Sequence, residues 1–232
     1  LNAQANALCF HEMNPSCVRF KGTPRPIINT IEEYDAILRG GDPARLTVDL
    51  SRPVAAKAYD QLCAMQRVNL LGDIAHYYLS YVDDIVDTGI DVRFVCLKRD
   101  KQETIDSWLR KVSVKTWPSK KLSLFLSSII MRENLFRPRN PWMAHDGTDL
   151  AVDLVWDKCF PKFPGPTREA ALSQYWEYYY QRAEAMQTKH AGRFLIFNTT
   201  DLNTAEGQRA LLNFCNIARE NQVMADGHIH KS

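Results

Sequence analysis

The sequence predicts an α/β fold built on a mostly parallel sheet. Short apolar runs alternate with segments of helical period along the chain. The runs are continuously apolar, as in strands covered on both faces. No internal repeat, low-complexity tract or linker interrupts the pattern, so residues 1–232 read as one domain.

Ala7-Leu8-Cys9-Phe10 is the first strand and stops at His11-Glu12-Met13-Asn14-Pro15. Ile31 to Leu38 reads as a short helix, and Val54 to Arg67 as another opened by Pro53. Val68 to Leu71 is a strand closed by Gly72, and Asp73 suits the cap of a helix over 74–86. Val92 to Leu97 is the next strand. Gln102 to Val112 follows as a helix, with Asp100 and Glu103 spaced as a capping pair. Leu122 to Met131 has helical character, and residues 118–166 read as a mainly helical and loop insertion. A long helix runs from Thr167 to Lys189, and its Tyr175-Trp176-Tyr178-Tyr179-Tyr180 cluster is packing material. Arg193 to Phe197 is the last strand. Asn203 and Glu206 open a closing helix that reaches Glu220.

The totals exclude several classes. With 29 Lys and Arg against 27 Asp and Glu, the net charge of +2 is too mild for non-specific nucleic-acid binding. No apolar run approaches the ~20 residues that span a bilayer. The six cysteines form no CxxC pair and no zinc-ligand spacing, so no metal is expected and a reducing, cytoplasmic location is. Asn198-Thr199-Thr200 is a formal glycosylation sequon, discounted because a strand end should be buried.

Ligands of open parallel sheets bind beyond the carboxyl ends of the strands. Two such ends carry chemistry. Arg99 lies just past the strand ending at Leu97, at a helix start whose free N–H groups favour an anion. Ser107 falls seven positions after Asp100, on nearly the same face two turns on. A phosphate there can take charge-assisted bonds from Arg99 and a hydroxyl bond from Ser107. His11 and Glu12 follow the first strand and are candidate bases.

The strand followed by Arg99 and Ser107 resembles the 3′-phosphate-binding segment of sulfotransferases that use 3′-phosphoadenosine 5′-phosphosulfate (PAPS). Arg193 to Asn203, with its Asp201-Leu202-Asn203 turn, is similar to that family's late strand, and Leu1 to Glu12 to its second strand with a nearby acidic residue. The resemblance implies a P-loop-like three-layer sandwich and transfer of a sulfuryl group from PAPS to a hydroxyl or amine, releasing adenosine 3′,5′-bisphosphate. It implies a small-molecule or glycan acceptor. Glu12 is then the general base, His11 its reserve, and Arg99, Ser107 and the tail residue Lys231 are nucleotide contacts. The family's first strand and phosphosulfate loop have no counterpart in the chain. The opening at Leu1 suggests that a segment preceding it belongs to the protein. A phosphotransferase on a related fold and a non-catalytic nucleotide-binding relative are the alternatives.

Overall fold

The computed structural model describes residues 1–14, 23–113, 147, 150 and 157–225. The helix expected over 122–131, most of the 118–166 insertion, and Lys231 lie outside them.

The fold is mixed α/β. Its described strands are β1 (Ala7–His11), β2 (Leu70–Ile74), β3 (Phe94–Lys98) and β4 (Phe194–Asn198). Its helices are α1 (Arg25–Leu38), α2 (Pro53–Cys63), α3 (Val82–Val86), α4 (Lys101–Ser113), α5 (Arg168–Lys189) and α6 (Ala205–Phe214). Parallel pairing is as expected, but a single central sheet is not formed among the described residues. β1 pairs with β2, Ala7 opposite Leu70 through His11 opposite Ile74, and β3 pairs separately with β4, Phe94 opposite Phe194. A three-layer sandwich or P-loop fold is therefore not what these strands show.

Two compact units are present. One holds Leu1–Lys98 with Ala183–Ser232, the other Arg99–Arg182. The core of the first gathers on β1, where Leu8 and Phe10 are almost fully buried. α1 presents Ile27, Ile31, Tyr34 and Ile37 on one face, an amphipathic spacing, and Tyr34 stacks on Phe10 at 6.4 Å. Burying a side chain such as Phe10 contributes roughly 1.5–3 kcal/mol. The helix starts earlier than its apolar pattern suggests because Pro26 sits in its first turn. It ends where Gly40 takes a positive φ of 95°, and the N–H groups of Gly40 and Gly41 close back on Ile37 and Ala36.

β2 differs most from the sequence reading. Gly72 and Asp73 lie inside the strand, opposite Cys9 and Phe10, and Asp73 is not a helix cap. The expected helix over 74–86 is instead a 3-10 turn at His76–Tyr81 followed by α3. In the β3–β4 pair, Phe94 and Phe194 stack at 6.1 Å. The Gln187 side chain accepts from the Ile196 N–H, so the last turns of α5 cover part of the outer edge of β4. Asp83 binds His190 at 2.6 Å and Lys189 at 2.9 Å, and those bonds hold its carboxyl below the usual range. Asn198, expected to be buried, is exposed.

The closing helix also shifts. Thr204, not Asn203, caps α6 by accepting from the Gly207 N–H, and Asn203 belongs to a 3-10 turn over Thr199–Asn203. A Cβ on Gly207 would lie 2.7 Å from the Asp201 carbonyl carbon and 2.9 Å from its Cβ, with the carbonyl oxygen closer still. Backbone cannot yield there as a flexible side-chain tip can. Gly207→Ala is expected to lower stability by about 1–3 kcal/mol, read as an earlier midpoint in urea unfolding at unchanged slope.

The second unit packs the start of α4 against α5. Asp100 caps α4 by accepting from the Glu103 N–H at 3.0 Å, as its position in the sequence suggests. Lys101 bonds Glu177 at 2.6 Å and lies 5.9 Å from the Trp176 ring. Trp176 and Tyr180 contact each other at 4.6 Å, so the aromatic cluster does serve packing.

Candidate functional site

The parallel ladder between β1 and β2 runs one residue past β1, through the Glu12 N–H to the Ile74 carbonyl at 3.1 Å. There the chain turns sharply. Glu12 has φ 49°, a left-handed conformation that costs a non-glycine residue about 1–3 kcal/mol and persists only where surrounding contacts fix it. Arg52 supplies the main one. It immediately precedes Pro53 at the start of α2, and its guanidinium donates to the Glu12 carbonyl oxygen. Its Nη2 also lies 3.3 Å from Glu12 Oε2. On the other side His76 Nδ1 lies 3.8 Å from Glu12 Oε1.

Glu12 therefore stands at the carboxyl ends of a parallel pair, with a guanidinium on one oxygen and an imidazole near the other. The three side chains are 32%, 28% and 32% exposed for Glu12, Arg52 and His76, so the carboxylate is supported yet reachable from solvent. Burial pushes the His76 imidazole down to about 4, against the opposing pull of Glu12. At neutral pH His76 is uncharged, and the cation beside Glu12 is Arg52. His11 is the exposed last residue of β1.

A second polar group underlies this one. The Asp73 carboxylate accepts from the Met13 N–H at 3.2 and 3.3 Å, from Tyr78 Oη at 2.9 Å and from Tyr77 Oη at 3.3 Å. Desolvation raises its pKa, while these bonds and the nearby His11 oppose the rise. Burial first, then the Asp73 charge, pushes the Tyr77 phenol up, and burial likewise leads the rise at Tyr78, so both remain protonated donors. Three donor groups thus occupy its two oxygens. Tyr34 extends the group through contacts of its hydroxyl with Met13 Sδ at 3.5 Å and the Gly72 carbonyl at 3.4 Å.

In the other unit, Arg99 directly follows β3 in the chain. Its backbone N–H bonds Tyr180 Oη at 3.3 Å, and its guanidinium pairs with Glu103 at 3.1 Å. Glu103 was expected to reach back as a cap partner, but its carboxylate takes Arg99 instead. Ser107 is half-buried one turn beyond Glu103 on α4. The Arg99 guanidinium is thus engaged by the Glu103 carboxylate, which is 63% exposed. Lys231 and the neighbouring His228 and His230 lie outside the described residues.

Arg52 and His76 were not among the residues singled out from sequence. His76 lies two positions past the end of β2, but the sequence pattern ends that strand at Leu71 and puts His76 inside a helix, so it carries no signal there. Arg52 has none either, because its partner is 40 positions away. Among the described residues no group of three or more His, Cys, Asp or Glu side chains is placed to hold a metal ion. Among them, too, no helix is long and apolar enough to cross a membrane. Comparison with protein-family models, curated proteins and solved structures finds no match to this chain.

Proposed function

We propose that the protein is a sulfotransferase that uses PAPS to sulfate a hydroxyl or amine, with Glu12 as general base. The observation that carries this reading is the Glu12 carboxylate, locked past the end of a parallel strand and partly open to solvent. When bound, PAPS supplies an activated sulfuryl group. In this reading Glu12 removes the acceptor proton and Arg52 holds its carboxylate in place; Arg99 and Ser107 are, separately, the residues proposed for the 3′-phosphate.

The finer fold belongs to this reading. Both strand pairs are parallel and lie in one unit, which supports their being parts of a central sheet in a P-loop-like three-layer sandwich. A cytoplasmic site of action also belongs here. The cysteines among the described residues are free thiols, as a reducing compartment would keep them. A small molecule or a glycan is the acceptor class.

The Arg52 ion pair favours one competing reading. A loop carboxylate with no catalytic task makes the same bond, and that reading is a nucleotide-binding relative without turnover. Incubating the full chain with sulfur-labelled PAPS and a panel of phenols, amino sugars and oligosaccharides separates them. Label on an acceptor is the expected result. Nucleotide binding with no labelled acceptor would point to the non-catalytic relative, and magnesium-dependent ATP hydrolysis to a phosphotransferase.

A further inference from the structure

The geometry points to Asp73 as a positioning residue that ties the Glu12 loop and the His76 turn into one arrangement. This rests on Glu12 being the base of the proposed reaction. Met13, whose N–H Asp73 accepts, is the residue after Glu12. Tyr77, whose hydroxyl Asp73 accepts, is the residue after His76, and Tyr78 follows it. One carboxylate thus holds the neighbours of both groups that flank the proposed proton transfer.

The strand register makes this possible. Asp73 stands opposite Phe10, so its side chain leaves β2 two residues before the point where β1 has already turned at Glu12. A left-handed Glu12 relaxes unless the chain is held on both sides of it. The Ile74 carbonyl holds the Glu12 N–H, Arg52 holds the Glu12 carbonyl, and Asp73 holds the following N–H. The second of these comes from another element, whereas the first and third come from adjacent residues of β2. Losing the third frees Met13 and lets the Glu12 carboxylate swing relative to His76. A shift of about 1 Å in such a group is enough to slow a reaction about 100-fold.

The test compares three variants in the full chain. Asp73→Leu removes every acceptor at nearly constant size. Asp73→Asn keeps one oxygen for the Met13 N–H and an amide that can donate to a tyrosine hydroxyl. Tyr78→Phe leaves the carboxylate in place and removes a single donor. Hydrogen exchange at the Met13 amide is expected to quicken at least about tenfold in Asp73→Leu and to stay near wild type in Asp73→Asn. In PAPS-driven transfer, kcat should fall about 100-fold in Asp73→Leu, with KM for PAPS within about twofold and substantial rescue in Asp73→Asn. Tyr78→Phe should give an intermediate kcat, and it decides the matter if Asp73→Leu does not fold. Unchanged Met13 exchange in Asp73→Leu, or in its absence a wild-type kcat in Tyr78→Phe, overturns the assignment. If wild type transfers no sulfuryl group at all, the enzymatic reading falls, while the exchange result still decides whether Asp73 holds the loop.

Discussion

Replacing Glu12 with Gln lowers the turnover of PAPS-driven transfer by about 10²–10⁴-fold, the usual contribution of a positioned base. The substitution keeps the shape of the side chain and an oxygen for Arg52, so the left-handed turn survives. A partly exposed ion pair contributes at most about 1 kcal/mol, so the melting temperature moves by no more than about 4 °C. KM for PAPS stays within about twofold, because Glu12 acts on the acceptor. Initial rates with labelled PAPS and a melting curve on the same preparation give all three values. A wild-type kcat in Glu12→Gln would mean that the carboxylate serves only the ion pair with Arg52.

Arg99→Ala removes between about half and nearly all of the stabilisation that adenosine 3′,5′-bisphosphate gives the full chain. At a nucleotide concentration of 100 Kd, binding stabilises the wild type by about 2.7 kcal/mol, which raises the melting temperature by roughly 5–10 °C in a chain of this size. Loss of a charge-assisted pair costs about 1.5–3 kcal/mol and weakens binding about 10- to 100-fold. At the larger loss the same nucleotide concentration equals Kd, and the shift shrinks to about 1 °C. The variant itself folds, since Arg99 contributes an exposed i,i+4 pair with Glu103 worth about 0.3–0.5 kcal/mol. A full-sized shift retained in Arg99→Ala would remove Arg99 from the nucleotide site.

The strands are legible because runs such as Ala7 to Phe10 and Phe194 to Phe197 are apolar throughout, the pattern usual for parallel strands, although Leu195 and Ile196 are only half-buried. The β2 segment is not. Gly72 and Asp73 are local breakers, so alone they read as a stop and a cap. Pairing overrides that preference, since Gly72 lies against Cys9, where an added Cβ would meet the Cys9 sulfur at 3.3 Å. The end of α6 is illegible for a related reason. The apolar pattern continues past Phe214, but Asn216 turns left-handed at φ 58°, which asparagine tolerates better than most residues.

At the site, Glu12 and Arg99 were visible because each follows a strand within a residue or two. The conformation of Glu12 was not, because nothing local demands a positive φ there. It arises from Arg52 and Asp73, which reach it from α2 and β2. Asp73 reads as a cap because a cap needs only the next few residues, whereas this half-buried carboxylate takes donors from two loops.

Recognition of the ribose-linked phosphate is tested most directly by calorimetric titration of the full chain with adenosine 3′,5′-bisphosphate and, separately, with adenosine 5′-phosphate. The bisphosphate should bind about 10- to 100-fold more tightly, the margin expected for one guanidinium–phosphate contact. Equal affinity for the two nucleotides, or no heat from either, would contradict a PAPS-dependent enzyme.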